Sequence, residues 1–172
     1  MSSTTDTTRD VYIVGLRNQH AVENQAIELL ERQVGRLENY PEMRDRMREH
    51  IQESQEQARR LEELLAELGT SHSTMKDTAM SLAGSLLAIG HSTATDEVMK
   101  NTFANFAFEH YEMAAYKSLL VLADSLSHAA GKSLLEASLD EETAMADWIE
   151  QHMVPTTLRY VERAAMGETA GV

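Results

Sequence analysis

Residues 98–123 read VMKNTFANFAFEHYEMAAYKSLLVLA. Steps of three and four along this stretch pick out Val98, Thr102, Asn105, Glu109, Glu112, Tyr116, Leu119 and Ala123. Such steps trace one face of an α-helix. The face is apolar at its ends and acidic at its middle. An inward stripe rarely carries carboxylates, because burying an unpaired charge costs several kcal/mol.

Three other segments repeat the arrangement. A first helix is predicted over about 8–38, with the seam Ile13, Leu16, His20, Glu23, Ile27, Leu30, Val34 and Leu37. Gly15 and Gly35 weaken it without breaking the period, and Pro41 forces its end. A second helix, about 41–68, starts at Pro41 and stops near Gly69. Its seam is Met43, Met47, His50, then Glu53 or Ser54, then Gln57, Leu61, Leu64 and Leu68. The helix around the opening stretch spans about 94–126, with Ser92 or Thr95 as N-cap and with Phe103 and Phe106 adding core area. The last, about 132–153, has the seam Leu135, Ser138, Glu142, Met145, Ile149 and His152 and ends before Pro155. Residues 158–165 are predicted as a closing helical turn.

The first two helices are joined by a short loop. The second and third are separated by a long connection in which Met75, Ala79, Leu82, Leu86 and Ile89 predict a short amphipathic helix ending at Gly90. One long crossover is the topology of ferritin-like bundles rather than of simple up-and-down ones. The expected fold is therefore all-α: a four-helix bundle over residues 8–166, with tails at 1–7 and 167–172.

Composition agrees. A chain of 172 residues suits one domain, and two prolines with 5% aromatics favour helices over sheets. The net charge of −13 argues against nucleic acid or an anionic membrane as partner. The absence of cysteine excludes disulfides and thiolate chemistry. The polar start, Met1–Asp10, lacks the apolar run of a signal peptide, and no stretch has the length of a membrane span. The expected location is the cytoplasm.

Taken singly, each of these glutamates is an ordinary solvated residue, and the second helix also carries Glu49, Glu56, Glu62 and Glu63. Taken together they coincide in height. The four helix midpoints fall near residues 23, 55, 110 and 142, within about one turn of the acidic positions. His50 and Glu53, like Glu109 and Glu112, are three apart and address one centre. Carboxylates bridge divalent ions and imidazole suits iron. His50 could also be a hydrogen-bonded core histidine, and His20 a ligand or a boundary residue. His72, His91, His110, His128 and His152 read as surface histidines. Tyr116, one turn beyond Glu112, is placed to hydrogen-bond a ligand carboxylate or simply to fill core.

The segments LRNQHAVENQ (16–25), HIQESQEQARRL (50–61), EHYEMAAY (109–116) and LLEASLDEE (134–142) resemble the bacterial YciE/YciF ferritin-like proteins over about residues 8–155. The resemblance implies a ferritin-like bundle, often homodimeric, linked to stress response and holding a di-iron-type site. By motif, the ligands to two divalent ions, iron or alternatively manganese, would be Glu23, His50, Glu53, Glu109, Glu112 and Glu142. Two positions depart from the usual pattern. The second helix carries His-x-x-Glu in place of Glu-x-x-His, and Met145 stands where a second histidine belongs. His20 could make up that deficit. The implied activity is ferroxidase or peroxide reduction. The alternative is a non-catalytic structural or interaction protein with a vestigial or purely structural site.

Overall fold

The computed structural model describes residues 3–72 and 96–171. Four helices account for almost all of them: α1 (Thr4–Val34), α2 (Pro41–Glu67), α3 (Glu97–Ser125) and α4 (Ala129–Ala165). The short helix predicted at 75–90 and the caps Ser92 and Thr95 lie outside the described residues.

α1 begins within the stretch read as a tail. Ser3 Oγ accepts from the Asp6 amide at 3.1 Å and Asp6 Oδ2 accepts from the Ser3 amide at 3.0 Å, a reciprocal cap. Pro41 occupies the first turn of α2, where its missing N–H is not needed. α2 closes at Gly69, whose φ of 71° is one that side chains resist.

α4 corrects the expectation that Pro155 ends the fourth helix, because it runs through Pro155 to Ala165. An interior proline removes one backbone donor and costs about 3 kcal/mol. Burial beyond it outweighs this: Thr156 is buried and Tyr160 packs against the core. The Thr157 hydroxyl also donates to the Met153 carbonyl at 2.9 Å.

α1 and α2 form one hairpin and α3 and α4 the other, with α1 against α3 and α2 against α4. Arg9 Nη2 donates to the Leu68 carbonyl at 2.6 Å, while Arg36 pairs with Glu97 at 2.6 Å. The end of α2 and the start of α3 therefore stand at opposite ends of the bundle, which is the long-crossover connectivity. Residues 168–171, read as a tail, are tied down. Asn39 Nδ2 donates to the Thr169 carbonyl at 3.2 Å, the Val98 amide to the Gly171 carbonyl at 3.1 Å, and the Tyr40 hydroxyl to the Ala170 carbonyl.

The core has apolar ends. One is built of Tyr12, Leu16, Leu61, Leu64, Leu119 and Leu135, the other of Leu30, Tyr40, Met43, Met47, Met145 and Ile149. Phe106 packs against the second of these ends as expected, whereas Phe103 is half-exposed and Phe108 is buried in its stead. Between the two ends lies a polar layer.

Candidate metal centre

The layer follows from which residues each helix turns inward. On α3 the buried stripe is the one predicted, Val98 through Ala123, and it carries Glu109 and Glu112 into the centre. On α4 it carries Glu142, between Leu135 and Met145. On α2 the stripe passes from His50 through Ser54 to Gln57, leaving Glu53 off the seam with its side chain 31% exposed. On α1 it runs Tyr12, Leu16, Gln19, Glu23, Ala26, Leu30 and Gln33. The predicted line holds at Ile13, Leu16, Glu23, Leu30 and Leu37, but Gln19, Ala26 and Gln33 are buried in place of His20, Ile27 and Val34. Steps of three and four fit both lines. The buried amides favour the observed one: Gln33 and Asn105 exchange two side-chain hydrogen bonds, at 3.1 and 2.8 Å.

Glu23, His50, Glu109, Glu112 and Glu142 are 0–2% exposed and come together. His50 Nε2 lies 3.1 Å from Glu109 Oε2 and 3.8 Å from Glu142 Oε2. Ligand atoms of these three residues all fall within 4.8 Å of one another. Beside them, Gln19 Nε2 donates to Glu23 Oε1 at 2.9 Å and to Glu112 Oε1 at 3.4 Å, and the Tyr116 hydroxyl donates to Glu23 Oε1 at 2.5 Å.

Glu53 sits behind this cluster. Its Oε2 takes the other imidazole nitrogen, His50 Nδ1, at 2.8 Å and accepts from both terminal nitrogens of Arg46 at 3.0 Å. A carboxylate held by arginine only accepts, so Nδ1 carries a proton and Nε2 is the nitrogen turned to the acids. His20 also points elsewhere, with Nε2 2.9 Å from Glu62 on α2. It does not supply the missing histidine. Met145 is fully buried in the apolar end, so α4 offers Glu142 alone. The adjacent Glu141 is engaged by Arg60 at 2.7 and 2.9 Å.

The electrostatics are those of a site short of positive charge. Burial, helped by the other acids, pushes Glu112 and Glu142 well above the usual carboxylate range. Burial likewise raises Glu23 to about 7, against hydrogen bonds from Tyr116 and Gln19. Burial also disfavours charge on His50 and Glu109, yet their mutual attraction wins, raising the histidine and lowering the glutamate. Burial would raise Glu53 too, but His50 and Arg46 bring it below its ordinary value.

Six buried atoms of the cluster make no hydrogen bond: Glu23 Oε2, His50 Nε2, Glu109 Oε2, Glu112 Oε2 and both oxygens of Glu142. His50 Nε2 approaches Glu109 closely but without the alignment of a hydrogen bond. An orphaned buried polar atom costs about 1–3 kcal/mol. Their convergence, with carboxylates outnumbering imidazole, fits divalent cations of the iron or manganese type. Gln19 and Arg46 were not singled out from sequence. Gln19 could have been, standing four residues before Glu23 on the same face.

A family model described as "Domain of unknown function (DUF892)" matches residues 7–162. Protein YciF of Escherichia coli K12 is 28% identical over 142 residues, covering 80% of this chain and 85% of that protein. Its crystal structure, that of a stress protein, superposes with a TM-score of 0.76 over 90% of this chain and 96% of that one at 24% identity. A protein from Xanthomonas campestris pv. campestris superposes with a TM-score of 0.78 at 27% identity, over 92% and 99% of the two chains. The bacterioferritin of Desulfovibrio desulfuricans, a protein with a di-iron site, shares the fold with a TM-score of 0.73 at 18% identity, over 99% of this chain and 93% of its own.

Proposed function

The chain belongs to the DUF892 family and has a ferritin-like fold, and on that premise we propose that it holds a dinuclear metal centre, iron rather than manganese, in its polar layer. Glu23, His50, Glu109, Glu112 and Glu142 would be the ligands, with Glu53 bound to the back of His50. The observation that carries this reading is the set of six converging buried atoms without hydrogen-bond partners. When bound, an iron pair supplies redox chemistry of the kind used in Fe(II) oxidation or peroxide reduction.

The chain's own residues prepare the site. Glu53 and Arg46 hold the His50 ring, and Gln19 and Tyr116 hold Glu23. Leucines close one end and methionines much of the other, excluding water that would weaken each electrostatic contact. A non-catalytic role for the centre is the second reading, favoured by Met145 in the apolar end.

Metal analysis of purified protein tests the centre. Wild type should carry iron that Glu23→Ala and Glu142→Ala lose, and equal content in all three would end the idea. Oxygen uptake on adding Fe(II) separates the two readings: turnover supports catalysis, and binding without turnover supports the structural role. A cytoplasmic, stress-linked homodimer completes the proposal. Light scattering would then give twice the 19.2 kDa of one chain. Among the described residues no helix is long and apolar enough to cross a membrane.

A further inference from the structure

His20, displaced from the central cluster, belongs to another group. Its Nε2 lies 2.9 Å from Glu62 Oε1, and His72 Nδ1 lies 3.6 Å from the same oxygen. The two imidazoles stack with centroids 4.6 Å apart and planes 23° apart. One ligand atom from each of the three residues falls within 4.8 Å of the others. The geometry points to a second metal site, in which His20, Glu62 and His72 take one zinc-like divalent cation at the bundle surface.

Ligand spacing supports it. Donors about 2.1 Å from a tetrahedral ion stand about 3.4 Å apart. The separations of 2.9 and 3.6 Å fall on either side of that value, and turning the half-exposed His72 ring out of the stack would bring both nitrogen lone pairs onto one ion. The position of His72 is built, not incidental. After Gly69 the chain turns back, with the Thr70 amide donating to the Leu65 carbonyl at 3.0 Å. Arg17, one turn before His20 on α1, donates Nε–H to the Ser71 carbonyl at 2.8 Å and also bonds the Thr70 hydroxyl. This pins the residues beside His72 to the face that carries His20. Asn24 Nδ2, which donates to the His20 carbonyl at 2.7 Å, stands 3.5 Å from His20 Nδ1.

The donor set also separates this site from the centre. Two imidazoles and one carboxylate suit zinc, nickel or copper, whereas the centre is mostly carboxylate. Glu62 and His72 are each 48% exposed, leaving room for water as a fourth ligand. The ion would staple the segment after α2 to α1. The site does not rest on the central metal reading.

Zinc titration followed by calorimetry tests it, on full-length wild type, His72→Gln, Glu62→Gln and the double variant Glu112→Gln/Glu142→Gln. The double variant should keep one zinc at wild-type affinity. His72→Gln and Glu62→Gln, folded by circular dichroism, should weaken that zinc by about ten-fold or more. Copper(II) substituted into the double variant should show two nitrogen donors by electron paramagnetic resonance. Zinc affinity unchanged in His72→Gln, or no zinc bound by the double variant, overturns the site, whatever the centre does with iron.

Discussion

Glu112 shows how one buried side chain couples stability to charge. Burial and the surrounding acids keep it protonated well past the usual carboxylate range. Glu112→Gln copies the protonated shape without the titration. In urea unfolding of the metal-free protein it should match wild type near pH 5 and exceed it by about 1–3 kcal/mol near pH 8. An equal difference at both pH values would contradict this. The wild-type profile follows the same logic. A carboxyl whose folded pKa is raised, as for Glu23 at about 7, lets the folded state hold the extra proton between its unfolded and folded values. Stability should therefore fall as pH climbs from about 4.5 through 7. His50, also raised, gives stability below its unfolded value that is lost in the same direction. Glu109 and Glu53, both lowered, set the acid side, since their contribution disappears as pH drops below their ordinary range. Thermal unfolding of metal-free protein from pH 4 to 9 checks the profile. At this scale the sequence was informative where polar residues interrupt an apolar period, as at Glu23 and Glu142. It was ambiguous where two neighbours both fit, as Glu53 and Ser54 do. Only packing against α1 and α4 decides between them.

At the scale of elements, period and breakers located all four helices but not every end. α3 was legible because its stripe has one solution. α1 was only partly so, because Gln19 and Gln33 look like surface residues until their partners across the core, Glu112 and Asn105, are known. Pro155 misled for a related reason: a local rule was overridden by burial further along. Pro155→Ala would restore a backbone donor and remove a ring from the helix. It should raise the unfolding free energy by about 1–3 kcal/mol, read as a higher melting temperature by circular dichroism. A lower one would mean that α4 needs the bend to pack Tyr160.

Across the whole molecule, the last residues act at a distance in sequence. Residues 169–171 bond to Asn39, Tyr40 and the first turn of α3, joining both hairpins. Removing residues 167–172 should cost about 1–3 kcal/mol in urea unfolding, through the lost partners of Tyr40 and Val98. An unchanged midpoint would show the segment to be dispensable. Nothing in its composition signalled this. Long-range backbone contacts of a short polar terminus leave no periodic trace.

The polar layer between two apolar ends also sets register. Four long helices with leucine and methionine stripes could slide by a turn, about 5.4 Å, and still bury apolar surface. Sliding α4 that far would carry Glu142 into the ground held by Met47, Met145 and Ile149, where no imidazole meets it. The carboxylates thus act as a key that admits one alignment, with or without an ion. A variant with Glu23, Glu112 and Glu142 all replaced by leucine should be harder to unfold yet less singular. Its amide nuclear magnetic resonance spectrum should be broadened or doubled where wild type gives one peak per residue, and a single sharp set would dismiss the key.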